Sequence, residues 1–427
     1  MIERKIYNRA LELLQNFRIV YIPGPRQAGK STLAKILAKE IGMRYFTLDN
    51  QSLYEVAKSD PHGLLESLGK KIVLDEFQYA PLLIPAIKMV SDDLRPDEKG
   101  VFLLTGSSDI FKSATTQEAL PGHMAHLELY PFSISEIENL NVNIVDYLLS
   151  EKLYHLSGEQ INKNKMAEIL IRGGYPEVIN KSERNRSAWY KSYVLGRLYK
   201  DFVSLTTIKG DYIGKIDALV RLLAGMSGNL IRYASIANSV GFDDKTVKKY
   251  MQSLELMFII KKIEPYVRNQ AKRGVVGLPK IHFFDTGLAC YLLGIKRAKP
   301  LHTSHFYGGL LENFVLMEIL KHSGWAQEEI RLYHFRDKKK NEVDIVIEKD
   351  DGKVIGVEVK ASASIRRDDF KCLHELSLYA GNKFDKGVLF YSGDQLLPMK
   401  FKDRTFYAVP VSLILKNPLS FNSGLQT

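Results

Sequence analysis

Arg18-Ile-Val-Tyr-Ile-Pro-Gly-Pro-Arg-Gln-Ala-Gly-Lys-Ser-Thr-Leu33 places an apolar, β-branched run directly before a loop bracketed by Gly24 and Gly29, and that loop opens onto a helical stretch reaching Ile41. The run reads as a buried strand. The loop has the spacing G-x-x-x-x-G-K-S in its required strand-loop-helix setting. The two glycines let Gly24, Pro25, Arg26, Gln27, Ala28, Gly29, Lys30, Ser31 and Thr32 curl so that successive backbone N–H groups face inward, and the helix N-terminus adds partial positive charge. Such a cradle predicts phosphate binding. Lys30 would reach the β and γ phosphates and Ser31 would offer its hydroxyl to the metal, so ATP and Mg2+ are the expected cofactors.

Working outward, Arg18 to Pro23, Arg44 to Asp49, Lys71 to Asp75, Val101 to Thr105 and His126 to Tyr130 are strand candidates separated mostly by helical patterns, as in a doubly wound α/β domain over residues 1–135. The strand Ile72-Val-Leu ends in Asp75-Glu76 with one further strand candidate between it and the loop, which suits the P-loop class that inserts a strand between its two motifs. In that class Asp75 holds Mg2+ through water, and Glu76 orients and deprotonates the attacking water. The next strand ends Thr105-Gly106-Ser107-Ser108. A polar side chain there can sense the γ phosphate; Thr105 is preferred and Ser107 is the second candidate.

Composition bounds the rest. A chain of 427 residues, 45% hydrophobic and 26% charged, describes several ordinary folded domains rather than a disordered protein. No eighteen apolar residues follow one another, and the N-terminal residues are charged, so no membrane segment or secretion signal is expected. Cys290 and Cys372 fit no metal or redox spacing, which points to a reducing, cytoplasmic setting. The net charge of +11 is uneven: residues 261–299 hold nine Lys/Arg against two Asp/Glu. Such a block meets phosphate backbones or forms a solvated face.

The stretches Gly24-Pro-Arg-Gln-Ala-Gly-Lys-Ser-Thr-Leu, Leu74-Asp-Glu-Phe-Gln and Leu104-Thr-Gly-Ser-Ser resemble a widespread prokaryotic family of AAA-type ATPases whose C-terminal half is a domain of unknown function. Gly173-Gly-Tyr-Pro, Lys200-Asp201, Phe284-Asp-Thr-Gly-Leu, Gly309-Leu-Leu-Glu312, Glu342-Val-Asp-Ile and Val357-Glu-Val-Lys extend the resemblance along nearly the whole chain. It implies nucleotide-dependent homo-oligomers in which a cation is borrowed from a neighbouring subunit. One departure bears on that: where the family carries Leu-x-Gly-Arg this chain reads Leu120-Pro-Gly-His123. Arg172 and Arg197 are the remaining arginine-finger candidates, by location.

Residues 136–228 read as a helical lid or linker. In 229–290, Tyr233 to Val240, a turn at Gly241, a helix from Lys245 and two strand candidates joined by a basic loop form a winged-helix pattern. Lys245, Lys248 and Lys249, with Arg268, Lys272 and Arg273 in the loop, would contact the phosphates of DNA or another nucleic acid. A lid or docking surface is the open alternative.

In residues 300–416, Gly308 to Gly324 is a helical pattern containing Glu312. The strands Glu342-Val-Asp344-Ile-Val-Ile and Val354-Ile-Gly-Val-Glu358-Val-Lys360 flank Asp350-Asp351-Gly352. A three-residue hairpin loop with Gly352 left-handed would set Asp344 opposite Glu358, with Lys360 on the same face. Asp followed by Glu-x-Lys resembles the PD-(D/E)XK, restriction-endonuclease-like fold, and that resemblance makes Glu312 the helical acid. Glu312, Asp344 and Glu358 would then hold Mg2+, with Lys360 polarising water. A non-catalytic binding module is the alternative. Asn417 to Thr427 reads as a tail.

Overall fold

The computed structural model describes residues 2–112, 122, 124–151, 153, 161–206, 213–267 and 277–415. His123, the loop residues Arg268, Lys272 and Arg273, and the tail 417–427 lie outside the described residues. The chain divides into two compact units, one of Glu3–Pro131 with Gln252–Ile259, the other of Phe132–Met251 with Ile260–Thr427.

In the first unit β1 (Ile19–Pro23), β2 (Arg44–Thr47), β3 (Ile72–Asp75), β4 (Phe102–Gly106) and β5 (Met124–His126) form a parallel sheet in the order β2-β3-β4-β1-β5. β4 thus lies between the loop strand β1 and the carboxylate strand β3. β1, β3 and β4 are buried at every residue. That is why they read as unbroken apolar runs rather than alternating ones: both faces of a central parallel strand are covered. On one face Tyr21, Leu74 and Leu104 pack with Phe77, Leu65, Ile84 and Ile87. The fifth strand begins two residues earlier than the sequence pattern suggests, although the Leu127 and Leu129 N–H groups still donate to the Tyr21 and Pro23 carbonyls at 2.9 and 2.8 Å.

In the second unit the helices Ile144–Leu149, Lys163–Arg172, Glu183–Tyr193, Tyr199–Thr206 and Ile213–Gly225 precede the helix Tyr233–Val240. Gly241 ends that helix in the left-handed region, φ 68°. The helix Asp244–Leu256 follows, its residues from Gln252 onward belonging to the first unit; its first turn is capped by Asp243, which accepts the Thr246 N–H at 2.9 Å. β6 (Ile260–Ile263) and β7 (Lys280–Phe283) then pair antiparallel.

A mixed six-stranded sheet completes the unit: β8 (Ile330–Arg336), β9 (Glu342–Lys349), β10 (Val354–Lys360), β11 (Phe384–Tyr391), β12 (Leu397–Phe401) and β13 (Arg404–Pro410), in the order β12-β13-β11-β10-β9-β8. The helix Lys371–Ala380 carries the crossover between the parallel strands β10 and β11. The helix Tyr307–Ser323 buries Leu310, Leu311, Phe314, Val315, Leu316, Met317 and Ile319 around most of its circumference, as a core helix does. Among the described residues no helix is long and apolar enough to cross a membrane.

Candidate functional site

The loop after β1 is held by contacts that explain its residue types. A Cβ at Gly24 would lie 1.9 Å from the Leu129 carbonyl oxygen, so no side chain fits. Gly29 takes φ 97° at the N-cap of the helix Lys30–Ile41. Arg4 clamps the outside of the loop, donating to the Ala28 and Tyr130 carbonyls at 3.0 and 2.7 Å. The Lys30 ammonium is buried and donates to the Gly24 and Pro25 carbonyls, both at 2.9 Å. Burial lowers its pKa to about 8, against the opposing pull of Glu76 and Asp75. A desolvated ammonium whose hydrogen-bond partners among the described residues are two carbonyls, beside a backbone position that admits no side chain, fits a polyphosphate.

Asp75 ends β3 buried, accepting hydrogen bonds from the Tyr45 and Thr105 hydroxyls. Burial and then the Asp75 hydrogen bond raise the Tyr45 pKa, and Ser31, near the same phenol, pulls it the other way. Tyr45 therefore lies beside both Ser31 and Asp75, the two residues that would hold Mg2+, directly or through water. The Thr105 hydroxyl is committed to Asp75 rather than facing the loop. Glu76 follows in the left-handed region, φ 57° and ψ 41°, a conformation that costs a non-glycine residue about 1–2 kcal/mol. Gln78 donates to the Glu76 carboxylate at 2.5 Å and accepts the Ser107 N–H at 3.0 Å. The loop after β4 is anchored in turn: Tyr21 donates to the Ser108 carbonyl at 2.7 Å, and the Asp109 N–H donates to the Leu256 carbonyl at 3.1 Å.

Residues 16–138 match the family described as AAA domain. This segment is similar to AAA domains. Residues 163–299 and 307–414 match two families described as domains of unknown function, DUF8612 and DUF4143. An uncharacterized protein of Mycobacterium tuberculosis is 27% identical over 415 residues, spanning 95% of this chain and 83% of the relative. Among solved structures, the chain is similar to a Walker-type ATPase of Pyrococcus abyssi (15% identity, 68% of this chain and 96% of that one, TM-score 0.42). It is also similar to the RuvB Holliday junction branch migration motor of Thermotoga maritima (20% identity, 61% and 90%, TM-score 0.30).

Outside the AAA domain, β9 and β10 pair with Ile345 opposite Val357, and one further step of that register sets Asp344 opposite Glu358. Gly352 takes φ 76° in the turn. Asp344 accepts the Val359 N–H at 2.9 Å, and Glu358 hydrogen-bonds it. Burial, then Asp344, raises the Glu358 pKa well above its usual value.

The cation in this cluster is one that sequence reasoning missed. The fully buried Lys280 ammonium lies 2.7 Å from Glu342, 2.9 Å from Glu312 and 3.3 Å from Asp344. Burial by itself would lower its pKa, but the three carboxylates overcome that and raise it. Glu312 is pushed up to about 8 by burial and by Asp344, with Lys280 pulling the other way. Arg336 holds the second Glu342 oxygen at 2.5 Å. Lys360 is half-exposed, its ammonium 3.9 Å from Asp369. Among the described residues, Glu312, Asp344 and Glu358 do not converge as a set of metal ligands.

Arg172 lies 3.5 Å from Glu138, and Arg197 is exposed on the π-helical turn Val194–Leu198. Lys245, Lys248 and Lys249 are exposed on the helix Asp244–Leu256. Gln78 was legible only as the last residue of Leu-Asp-Glu-Phe-Gln. Arg4 and Tyr45 carry no local motif.

Proposed function

We propose that the chain is a Mg2+-dependent ATPase that couples hydrolysis to movement of the helix Asp244–Leu256, and that its C-terminal half acts by binding rather than by cutting phosphodiesters. What carries the first part is that Lys30, Ser31, Asp75 and Glu76 lie past the carboxyl ends of β1 and β3, the end at which doubly wound sheets bind ligands. Bound Mg2+ supplies charge neutralisation on the phosphates. Lys30 exchanges its carbonyl partners for phosphate oxygens, Ser31 and Asp75 hold the metal, and Glu76 accepts the proton of the attacking water. Gln78 sets the Glu76 carboxylate, and its other end rests on the Ser107 N–H, two residues before the Asp109 N–H that holds Leu256. A change in hydrogen bonding at Glu76 therefore has a short route to the end of that helix.

Lys280 supports the non-catalytic reading of the C-terminal half, because a cation already lies among Glu312, Glu342 and Asp344. The nuclease reading would need that ammonium to leave. Phosphate contacts by Lys245, Lys248 and Lys249, and nucleotide-dependent self-association, belong to the same proposal.

Hydrogen exchange of the Glu76→Gln protein with and without Mg-ATP tests the coupling. The expected result is altered protection at Asp109 and along the C-terminal turn of the helix Asp244–Leu256. Identical protection there would end the coupling claim.

A further inference from the structure

We infer that the second unit contains an anion site of its own, built to take a small phosphorylated molecule of nucleotide size. A cavity of about 490 Å3 opens between the helices Lys163–Arg172 and Glu183–Tyr193 and the segment 296–299. Its volume falls within the roughly 300–1,000 Å3 range of small-molecule pockets. The cations Lys165, Arg172, Arg186, Lys296, Arg297 and Lys299 line it, against the carboxylates Glu168 and Glu183. One of those carboxylates is engaged already, since Glu183 lies 3.2 Å from Arg297.

Unmet hydrogen-bonding capacity points to a ligand. The Arg172 Nε and Nη2 atoms and the Arg186 Nε atom are buried without a hydrogen-bond partner among the described residues. Arg172 otherwise makes only a long 3.5 Å contact to Glu138, and Arg186 donates to the Lys181 carbonyl at 3.2 Å. Burial lowers the Arg186 pKa, and Arg172 beside it adds to the fall. Two guanidinium groups held together with N–H groups unsatisfied are stabilised by an anion that accepts from both, and the planar fork suits phosphate. Lys296, Arg297 and Lys299 come from the basic stretch noted in the sequence, so this cavity gives part of that charge excess a use.

A concave pocket suits a compact phosphate ligand better than a polynucleotide backbone, whose contacts spread along a surface. Ile169 and Ile171 in its lining offer apolar surface to the rest of such a ligand.

The test is calorimetric titration of the full chain carrying Lys30→Ala, which disables the P-loop, with inorganic pyrophosphate, ADP and a 5′-phosphorylated single-stranded oligonucleotide in turn. Binding of pyrophosphate or ADP should persist and should fall about tenfold or more when Arg186→Gln and Lys296→Gln are added. The tighter of the two small probes identifies the source as free polyphosphate or nucleotide. Melting temperatures report whether the added substitutions leave the fold intact. Should they not, Glu183→Gln replaces them and should tighten binding by about twofold or more, because it releases Arg297. Loss of all small-molecule binding with Lys30→Ala, binding indifferent to the added substitutions, or binding of the oligonucleotide alone would each overturn the inference.

Discussion

Replacing Lys280 with methionine keeps the length of the side chain and removes the one ammonium that three carboxylates share. At the observed separations of 2.7, 2.9 and 3.3 Å, and with an effective dielectric constant of about 20, each contact amounts to roughly 5–6 kcal/mol before desolvation is subtracted. Most of that sum offsets the cost of burying the ammonium. What the substitution exposes is the penalty of leaving carboxylates buried without their cation, about 3–5 kcal/mol. For a unit of this size the melting temperature should fall by roughly 6–20 °C.

The loss should depend on pH in a definite direction. Without Lys280 to oppose burial and Asp344, the Glu312 pKa rises further above its unfolded value. Its stability contribution is then whole at low pH and is lost as pH rises through the folded pKa. Thermal denaturation of wild type and Lys280→Met at pH 5, 7 and 9 should therefore show a gap that widens with pH. Mn2+ without nucleotide should stabilise the variant and not the wild type, and Asp344→Asn in the variant should remove that effect. Equal melting temperatures at every pH would refute the assignment of Lys280 as the cation of this cluster. Mn2+ binding by the wild type that disappears with Asp344→Asn would restore the nuclease reading.

Other outcomes follow from the AAA domain. Because the Lys30 pKa lies at about 8 before ligand binds and phosphate favours the charged form, ATP affinity should be flat below pH 7. Above pH 8 it should weaken by up to about tenfold per pH unit, measured by fluorescence titration. Gly24→Ala should abolish nucleotide binding with the secondary structure retained by circular dichroism, since the new Cβ would meet the Leu129 carbonyl oxygen at 1.9 Å. Gln78→Ala should lower kcat by about 10–100-fold with KM for ATP changed by less than about twofold, because it frees the Glu76 carboxylate without touching the phosphate loop. A rise in KM alone would place Gln78 in binding instead.

How far the sequence carried depends on how local the chemistry is. The phosphate loop was legible because glycine spacing, lysine and hydroxyl must follow one another within a single strand-loop-helix, and β1, β3 and β4 were legible through their buried apolar runs, whereas the order β2-β3-β4-β1-β5 was not read from the sequence. The Asp344–Glu358 register was legible because Gly352 and the length of the loop fix it. Lys280 was not, since it lies 32 and 64 residues from Glu312 and Asp344 and comes from a strand that reads as one side of the winged-helix hairpin. Period-two alternation says which face a lysine takes, not which distant carboxylates it meets. Arg4, whose partner carbonyl at Tyr130 is 126 residues away, was hidden for the same reason. Thr105 was correctly placed at a strand tip, but its commitment to Asp75 depends on the adjacency of β3 and β4. The helix-turn-helix and hairpin of 233–283 occur in the expected order, while the families matched there carry no assigned function.

The central claim is that Lys30 binds the nucleotide and Glu76 turns it over. Phosphate release and ATP affinity measured side by side for wild type, Lys30→Ala and Glu76→Gln test it most directly. The account predicts ATPase activity in the wild type, loss of both binding and turnover with Lys30→Ala, and near-normal affinity with turnover reduced by about 100-fold or more with Glu76→Gln. Hydrolysis at the wild-type rate by the Glu76→Gln protein would contradict it.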